Sequence, residues 1–519
     1  MIQFLNSKNG ALTAVYNGAF LHSSYSPEKE ADKFFRTENL KTFSTIVLIE
    51  PCLNYLGIII KRHNPSVKII SIYSRPEFSE RDKSISDFIW SPKSNENLKT
   101  FLDTALSELD LERFKLVEWP AAERLFGDEL TEFKGILAQH LRELHGNITT
   151  TSGFGKRHSR NFIRNYLISD KVMIPQKTSS TFFIAGSGPG LKKSINFIKR
   201  NRTGLVLLAL PSSITFLNNN GITPDLIVAT DPGFYAGLHY NFNKTCITAS
   251  PYTAMFSKKF NQELLPLNQY SFIESEILDR RDSFLSIAEN GTVAGTALNL
   301  SMSLTSGPVI ISGFDFSFID LLSHNRPHSF DNHIDQNQNR MHSLHNLYFE
   351  RNIPLSQKTG ASYRRTTTAL NVYRGWFEQN SIRFSNRCFF LDYFEEPPGY
   401  FKNLTETEAE EYTTESAAFS YNTAINNSFD FRRQKVLNFL DAQLQSLSSA
   451  ENNICESPMT CSDIINLLYS SISGRLFLPE ILELKRISFN KNSKEVSNKA
   501  VSLINETRSF LDYLGGYAG

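Results

Sequence analysis

Short unbroken apolar blocks alternate with stretches of helical spacing over most of this chain, and the two patterns predict two successive α/β units. In the first, STIVLIEP (44–51) and VKIISIYS (67–74) lack polar alternation, as strands covered on both faces do. CLNYLGIIIKRHNP lies between them, carries helical spacing and closes at Pro65. Strand, helix, strand at this distance predicts a parallel sheet. SDFIWS (86–91) and RFKLVEWP (113–120) are further candidate strands, separated by the helical NLKTFLDTALSELD. FKGILAQHLRELHGN (133–147) and RHSRNFIRNYLIS (157–169) predict two bridging helices.

The second unit is clearer. STFFIAG (180–186), GLVLLAL (204–210), DLIVATD (225–231) and PVIISGFDFSF (308–318) are strand patterns, with TCITAS (245–250) a shorter one. A helix from about Leu191 to Lys199, SSITFLNNNG and TALNLSMSLTSG (296–307) are the helices between them. Repeated strand–helix units predict a doubly wound, Rossmann-like parallel sheet. After Pro397 and Pro398 the blocks vanish. AEEYTTESAAFSYNTAINNSF, RRQKVLNFLDAQLQSLSSA, SDIINLLYSSISGRLFLPEILELKRI and SKEVSNKAVSLINETRSFLDYL all predict helix, and SPMT offers a start signal before one of them. The expected organisation is an α/β domain over 1–150 with bridging helices to about 177, a central α/β domain over 178–395, and a helical domain over 400–519.

Composition narrows this picture. At 519 residues, 40% apolar and 21% charged, the chain is long and apolar enough for several well-cored domains. A net charge of +1 gives no global basis for binding nucleic acid. No apolar run is long enough to span a bilayer, and MIQFLNSKNGALTAVYNG lacks the basic head and apolar block of a secretory signal. Five scattered cysteines (Cys52, Cys246, Cys388, Cys455, Cys461) make neither a zinc knuckle nor a disulfide framework. A reduced, cytoplasmic protein is expected.

The candidate chemistry sits at strand ends. Gly186, Ser187, Gly188, Pro189 and Gly190 stand between a strand and a helix. Glycines permit close approach to the backbone, and the helix start beyond them offers N–H groups to an anion, with Lys192 and Lys193 nearby. The alternative is a plain tight turn. Asp231 ends a strand, where open α/β sheets take ligands; it could equally cap the bend at Pro232 and Gly233. Gly291 and Gly295 bracket a small-residue entrance to a helix, where Thr292 and Thr296 could contact a ligand by hydroxyl; the alternative is a small face needed only for close packing. Gly313, Phe314 and Asp315 close a strand, with the acid in an apolar setting that requires hydrogen bonds or a ligand. The polar stretch HNRPHSFDNHIDQNQNRMHSLHN (324–346) holds His324, His328, His333, His342 and His345, candidates for a general base near neutral pH. A metal cluster of His328, Asp331 and His333 has no specific spacing.

The succession GSGPG, TDPG, GTVAGTALNLSMSL and ISGFDFSF resembles the motility-associated factor family, the flagellin glycosyltransferases. HSSYSPEKEADKF (22–34) resembles that family's opening motif and TTTALNVYRGWFEQ (366–379) the segment after its core. The likeness spans most of the first 395 residues. The central domain also resembles the bacterial sialyltransferases that use CMP-sialic acid. The turn reads GPG here where those have GPS, and Asp231 stands where they tend to have Asn.

The resemblance implies a sialyltransferase-like central domain that transfers a nonulosonic acid, of pseudaminic or legionaminic type, from its CMP ester to Ser or Thr of flagellin. By the same resemblance Gly186, Ser187, Gly188, Pro189 and Gly190 hold the donor nucleotide. Val293, Ala294 and Gly295 line its phosphate side, Gly313, Phe314 and Asp315 stand beside it, and His328 or His333 is the base, with His328 favoured. Tyr363, Arg364 and Arg365 are candidates to meet the phosphate or the sugar carboxylate. No essential metal or other cofactor is expected, since a monophosphate can leave without one. Flagellin and the nucleotide sugar are the expected partners, and homo-oligomerisation is left open. The alternatives are a Mg-dependent transferase like the 6-hydroxymethylpterin diphosphokinases, with Asp231 serving magnesium, and a non-enzymatic flagellar assembly or export factor.

Overall fold

The computed structural model describes residues 2–519 apart from 83, 241–246, 256–263, 270–271, 279–284, 288–289, 320, 337, 355, 359–363, 392–396, 426 and 491–492. The chain packs into two compact units: Met1–Gly155 with Ser446–Thr507, and Lys156–Gln445 with Arg508–Gly519.

The first unit holds the expected parallel sheet. Its strands are β1 (Thr45–Ile49), β2 (Lys68–Ile72), β3 (Phe88–Trp90) and β4 (Phe114–Glu118), in the order β3-β2-β1-β4. All four run parallel, and β1, the central strand, is buried at every position. Ile46, Val47, Ile49, Ile69, Ile70 and Ile72 lie in one apolar core with the flanking helices. A three-stranded antiparallel sheet of Ile2–Asn6, Leu12–Tyr16 and Ala19–Phe20 precedes it. The C-terminal helices of this unit are tied to the sheet's far loops. Tyr469 donates to Glu108, Lys485 donates to the Leu109 carbonyl, and Arg486 makes a forked pair with Glu112 at 2.8–3.0 Å. The start signal at SPMT is a capping box, in which Thr460 and Asp463 satisfy each other's backbone N–H.

The second unit is built on an 11-stranded sheet. Its main strands are β5 (Lys171–Pro175), β6 (Phe182–Ala185), β7 (Val206–Ala209), β8 (Leu226–Val228), β9 (Ile247–Ser250), β10 (Leu264–Asn268), β11 (Val309–Ser312), β12 (Cys388–Leu391), β13 (Lys402–Leu404) and β14 (Tyr421–Ile425), ordered β13-β12-β11-β6-β7-β8-β9-β10-β5-β14. Every pairing is parallel except β14 with β5. Alternate residues feed two cores. Phe182, Ile184, Val206, Leu208, Val309 and Ile311 face one; Phe183, Ala185, Leu207, Ala209 and Ile310 face the other. A sheet covered on both faces explains the unbroken apolar blocks.

Three expectations are corrected. The two bridging helices are one helix of 49 residues, Pro120–Ile168. Glycine and threonine weaken the stretch between them but no proline breaks it, so the ladder continues. The helix expected over AEEYTTESAAFSYNTAINNSF is a short one, Glu406–Glu410 within the run before it and its start, followed by β14. The open edge of β5 supplies partners that a local helix would forgo, register Ala424 to Val172. PVIISGFDFSF is not a single strand: β11 ends at Ser312, Gly313 turns with φ +76°, and Phe316 sits at φ +50°. Cys52, Cys388, Cys455 and Cys461 are unbonded thiols, and Cys246 lies outside the described residues. Among the described residues no helix is long and apolar enough to cross a membrane.

The segment after β13 straps back across the sheet. Thr181 Oγ1 donates to the Tyr412 carbonyl at 2.5 Å, and Ala417 N donates to the Thr203 carbonyl at 2.7 Å. A Cβ on Gly204 would stand 2.2 Å from the Thr414 carbonyl oxygen. Gly204→Ala is therefore expected to cost about 1–3 kcal/mol by overpacking, read as a lower midpoint of denaturant unfolding. An unchanged midpoint would mean that the strap does not lie on Gly204.

Candidate functional site

Strand order locates a crevice before any side chain is considered. From β6 the chain steps outward through β7, β8, β9 and β10, then returns to the other side of β6 for β11, β12 and β13. The reversal falls between β6 and β11, and ligands of open α/β sheets bind beyond the carboxyl ends at such a point. The turn 186–190 follows β6, and Gly313, Phe314 and Asp315 follow β11, so the switch brings these two motifs together.

They meet through backbone. Gly186 N donates to the Ser312 carbonyl and Gly188 N to the Gly313 carbonyl, both at 2.8 Å; Gly190 N donates to Asp315 Oδ2 at 2.9 Å. A Cβ on Gly186 would lie 2.3 Å from the Phe314 ring, one on Gly188 2.2 Å from Asp315 Oδ2, and one on Gly190 2.5 Å from Asp315 Oδ1. The bare turn is thus filled in the first instance by the neighbouring strand end. The expectation of open amides at the head of helix Leu191–Arg200 is corrected: the Asp315 carboxylate accepts from Gly190 N, and the Gly188, Pro189 and Gly190 carbonyls accept from Leu191 N, Lys192 N and Lys193 N at 3.0–3.3 Å.

Asp315 is 4% exposed. Burial pushes its carboxyl up to about 6, against the opposing pull of the Gly190 N–H and the charges of Arg364 and Lys193. Arg364 is itself buried and donates to Ser317 Oγ. Arg365 instead turns to Ser356, donating to its hydroxyl at 2.6 Å and its carbonyl at 2.7 Å. Tyr363 lies outside the described residues.

The histidine-rich loop reaches the turn through a residue that sequence reasoning passed over. Asn325 N donates to the Ser187 carbonyl at 2.8 Å, and its side-chain amide donates to the Gly188 carbonyl. Ser187 Oγ accepts from Ser212 Oγ at 2.8 Å. Beside Asn325, three imidazoles pack together: His324 on His328 at 4.6 Å between centroids, and His328 on His239 at 5.2 Å. Phe330 lies against both His239 and His328, at 4.7 and 4.9 Å. His239 Nδ1 is 3.1 Å from Ser329 Oγ, which is 2.8 Å from Thr215 Oγ1. His328 is 5% exposed, and its Nδ1 accepts from Phe330 N at 3.3 Å. Burial lowers His239 to about 4, so the ring is neutral at neutral pH.

The other candidates scatter. His333 is exposed and lies against Tyr235 at 5.6 Å, outside the imidazole trio; His342 and His345 are exposed too. Asp331 caps the His328 N–H at 2.8 Å and accepts from Tyr348 at 2.5 Å. Among the described residues no group of three or more His, Cys, Asp or Glu is arranged to hold a metal ion. Asp231 is exposed and accepts from Gly233 N at 2.7 Å, so it makes the bend that its setting allowed. Thr292 caps helix Val293–Leu304, accepting from Gly295 N at 2.8 Å, and a Cβ on Gly295 would crowd Asn290 at 2.9 Å. Asn161 and Asn165, both buried on helix Pro120–Ile168, anchor the loops after β8 and β9. Asn161 donates to the Pro232 and Thr253 carbonyls at 3.3 Å, and Asn165 to Tyr252 at 2.6 Å and to Ala254. Only the flanking histidines marked Asn325 in the sequence, and nothing local marked His239, which chain folding carries to the loop.

An α/β protein with a doubly wound sheet whose strand order reverses between β6 and β11 is what this geometry defines. The comparisons agree with that class. The family model described as MptE-like, 6-hydroxymethylpterin diphosphokinase MptE-like, matches residues 157–321. An uncharacterized protein of Treponema pallidum (strain Nichols) is 24% identical over 236 residues, 45% of this chain and 53% of that protein, so the match spans about half that relative's length. The solved structure of the MAf glycosyltransferase from Magnetospirillum magneticum AMB-1 superposes with a TM-score of 0.66 at 11% identity, covering 99% of this chain and 92% of that one. The chain has that protein's fold, as its motif resemblance implied.

The Asp315 carboxyl holds its proton more tightly in the folded chain than at its ordinary value of 3.8. Its contribution to stability is full below about pH 4 and is lost as pH rises through about 6. Asp315→Asn keeps an acceptor for Gly190 N–H and removes the buried charge. It should raise the thermal midpoint at pH 8 and flatten the midpoint's pH dependence between about 4 and 6. A lower midpoint at pH 8 would show that the charge stabilises the turn.

Proposed function

We propose that this protein is a glycosyltransferase that moves a nonulosonic acid, of the pseudaminic or legionaminic type, from its CMP ester to Ser or Thr hydroxyls of flagellin. The observation that carries the reading is the agreement in fold with a MAf glycosyltransferase over 99% of the chain. The imidazole trio beside the β6–β11 crevice supports it, because transfer to a hydroxyl needs a proton acceptor.

In this mechanism the acceptor oxygen attacks the anomeric carbon as the bond to the CMP phosphate breaks, with inversion. The hydroxyl proton passes to Nε2 of His239, whose neutral ring is set for this by giving its Nδ1–H to Ser329 Oγ at 3.1 Å. His328, the base favoured from the sequence, has no free lone pair in this arrangement, because Nδ1 accepts from Phe330 N and the neutral ring's proton is on Nε2; it packs beside His239 and positions it. The departing phosphate gains charge beside the exposed Lys192, whose ammonium favours it. The donor nucleotide rests on the Gly186–Gly190 turn, held in shape by Asp315 and Asn325.

A second reading rests on the family model over 157–321, a diphosphokinase description. There the exposed Asp231 would serve magnesium and the crevice would take a nucleoside triphosphate and a flat pterin.

Thermal unfolding with CMP and with ADP, each with and without Mg²⁺, separates the two. The glycosyltransferase reading expects CMP to raise the midpoint without metal. Stabilisation by ADP alone, and only with Mg²⁺, would favour the kinase. In a flagellin transfer assay His239→Ala and His328→Ala should each lower kcat, the true base by about 100-fold or more. With His239 titrating near 4, wild-type transfer should hold from pH 8 to about 5 and fall as pH approaches 4. Full activity in both variants would refute the His mechanism.

A further inference from the structure

The small parallel sheet of the first unit has a switch point of its own. The chain steps from β1 to β2 and β3, then returns to the other side of β1 for β4. The reversal lies between the carboxyl ends of β1 and β4, which Glu50 and Trp119 directly follow. Between β1 and helix Tyr55–His63, three residues other than glycine take the left-handed backbone: Glu50 at φ 45°, Cys52 at 54° and Asn54 at 50°. Each costs roughly 1 kcal/mol or more against an ordinary conformation.

Three polar atoms are buried at this edge with no hydrogen-bond partner among the described residues: Glu50 Oε1, His22 Nδ1 and Arg75 Nε. Each residue is held by another of its atoms. Glu50 Oε2 accepts from Ser74 N at 2.6 Å, Ser74 Oγ at 2.7 Å and Arg75 N at 3.1 Å. His22 Nε2 accepts from Leu53 N at 3.0 Å, which leaves the neutral ring's proton on Nδ1, 4.0 Å from the Glu30 carboxylate. Arg75 gives Nη2 to Glu129 at 2.7 Å and lies over the Phe126 ring. What is left over is one acceptor and two donors.

That combination suits hydroxyl groups, which donate and accept through the same atom. It does not suit a phosphate. The Glu50 carboxyl would oppose a second negative charge, and the first-turn amide of helix Tyr55–His63, Gly57 N, is already taken by Asn54 Oδ1 at 2.9 Å. Aromatic faces border the edge, with His22 against Trp119 at 5.0 Å and Tyr55 at 5.3 Å. We propose that the carboxyl edge of this sheet is a second binding site, where Glu50, His22 and Arg75 hold the vicinal hydroxyls of an uncharged nucleoside or sugar. Burial raises the Glu50 carboxyl to about 7, so near neutral pH it can take either part in a hydrogen bond to a hydroxyl. The site stands apart from the CMP reading and does not depend on it. The competing account is ordered water on the three atoms.

The test is calorimetric titration of the full chain at pH 7 with adenosine, 2′-deoxyadenosine and D-ribose. Saturable binding of adenosine, at least about tenfold tighter than of 2′-deoxyadenosine, is expected. Ribose binding as well would show that the diol suffices; adenosine alone would identify a nucleoside site. Glu50→Gln keeps an oxygen for Ser74 and turns an N–H₂ to the orphan position, and Arg75→Lys keeps the charge but removes Nε–H. Each should weaken binding about tenfold or more, and either variant serves if the other fails to fold. No binding of adenosine or ribose up to about 10 mM, binding unchanged in the variants, or a crystal soaked in adenosine with only water on Glu50 Oε1 would overturn the proposal.

Discussion

The approach of two backbones at the β6–β11 boundary governs the central unit. Gly186, Gly188 and Gly190 lend their N–H groups to Ser312, Gly313 and Asp315 in succession, and any side chain on the three glycines would collide with that neighbour. Close approach holds the crevice floor rigid and satisfies backbone groups that would otherwise be stranded. It also buries Asp315, whose carboxyl becomes the internal counterpart of the helix start. A ligand at this place therefore meets a turn already pinned from below by Asp315 and from above by Asn325. Pre-organisation of this kind lowers the ordering cost of binding.

Both sheets use one construction. In each, the chain steps outward from one parallel strand and doubles back beside it, β1 in the first unit and β6 in the second, and a buried carboxyl stands at or beyond the strand end where it does so: Glu50 in the first unit, Asp315 in the second. Desolvation raises both. They differ in what surrounds them. Asp315 faces an amide, with the charges of Arg364 and Lys193 near, and its role is explained by the turn it closes. Glu50 spends one oxygen on Ser74 and Arg75 and leaves the other without a partner among the described residues, which the fold alone does not account for.

The comparisons divide along the same seam. The diphosphokinase-like model covers 157–321, the sheet from β5 to β11 with its glycine turn, and stops before Asn325 and His328. What it describes is the crevice floor. The likeness to the MAf glycosyltransferase runs over nearly the whole chain, including the histidine loop and the C-terminal helices. The floor lies within the span that the family model matches, and His324 and His328 of the imidazole cluster lie beyond it.

Local pattern was enough for much of the fold. The apolar blocks of β1, β2, β6, β7, β8 and β11 announce themselves because a strand covered on both faces tolerates no polar residue. The glycine turn and the Gly313–Asp315 strand end were legible as a pair of candidates for the same reason that they are conspicuous, small residues and an acid at strand ends. Tertiary structure decided the rest. It made Tyr421–Ile425 a strand, because the edge of β5 offers hydrogen bonds invisible in a helix-like run. It joined residues 446–507 to the first unit through Glu108, Leu109 and Glu112, which no local signal connects to Tyr469, Lys485 and Arg486. It filled the bare glycines with the next strand's backbone and carried His239 to His328 across some ninety positions. Periodicity reports which face of an element is buried; what it is buried against depends on contacts between distant residues, and only the folded chain supplies those.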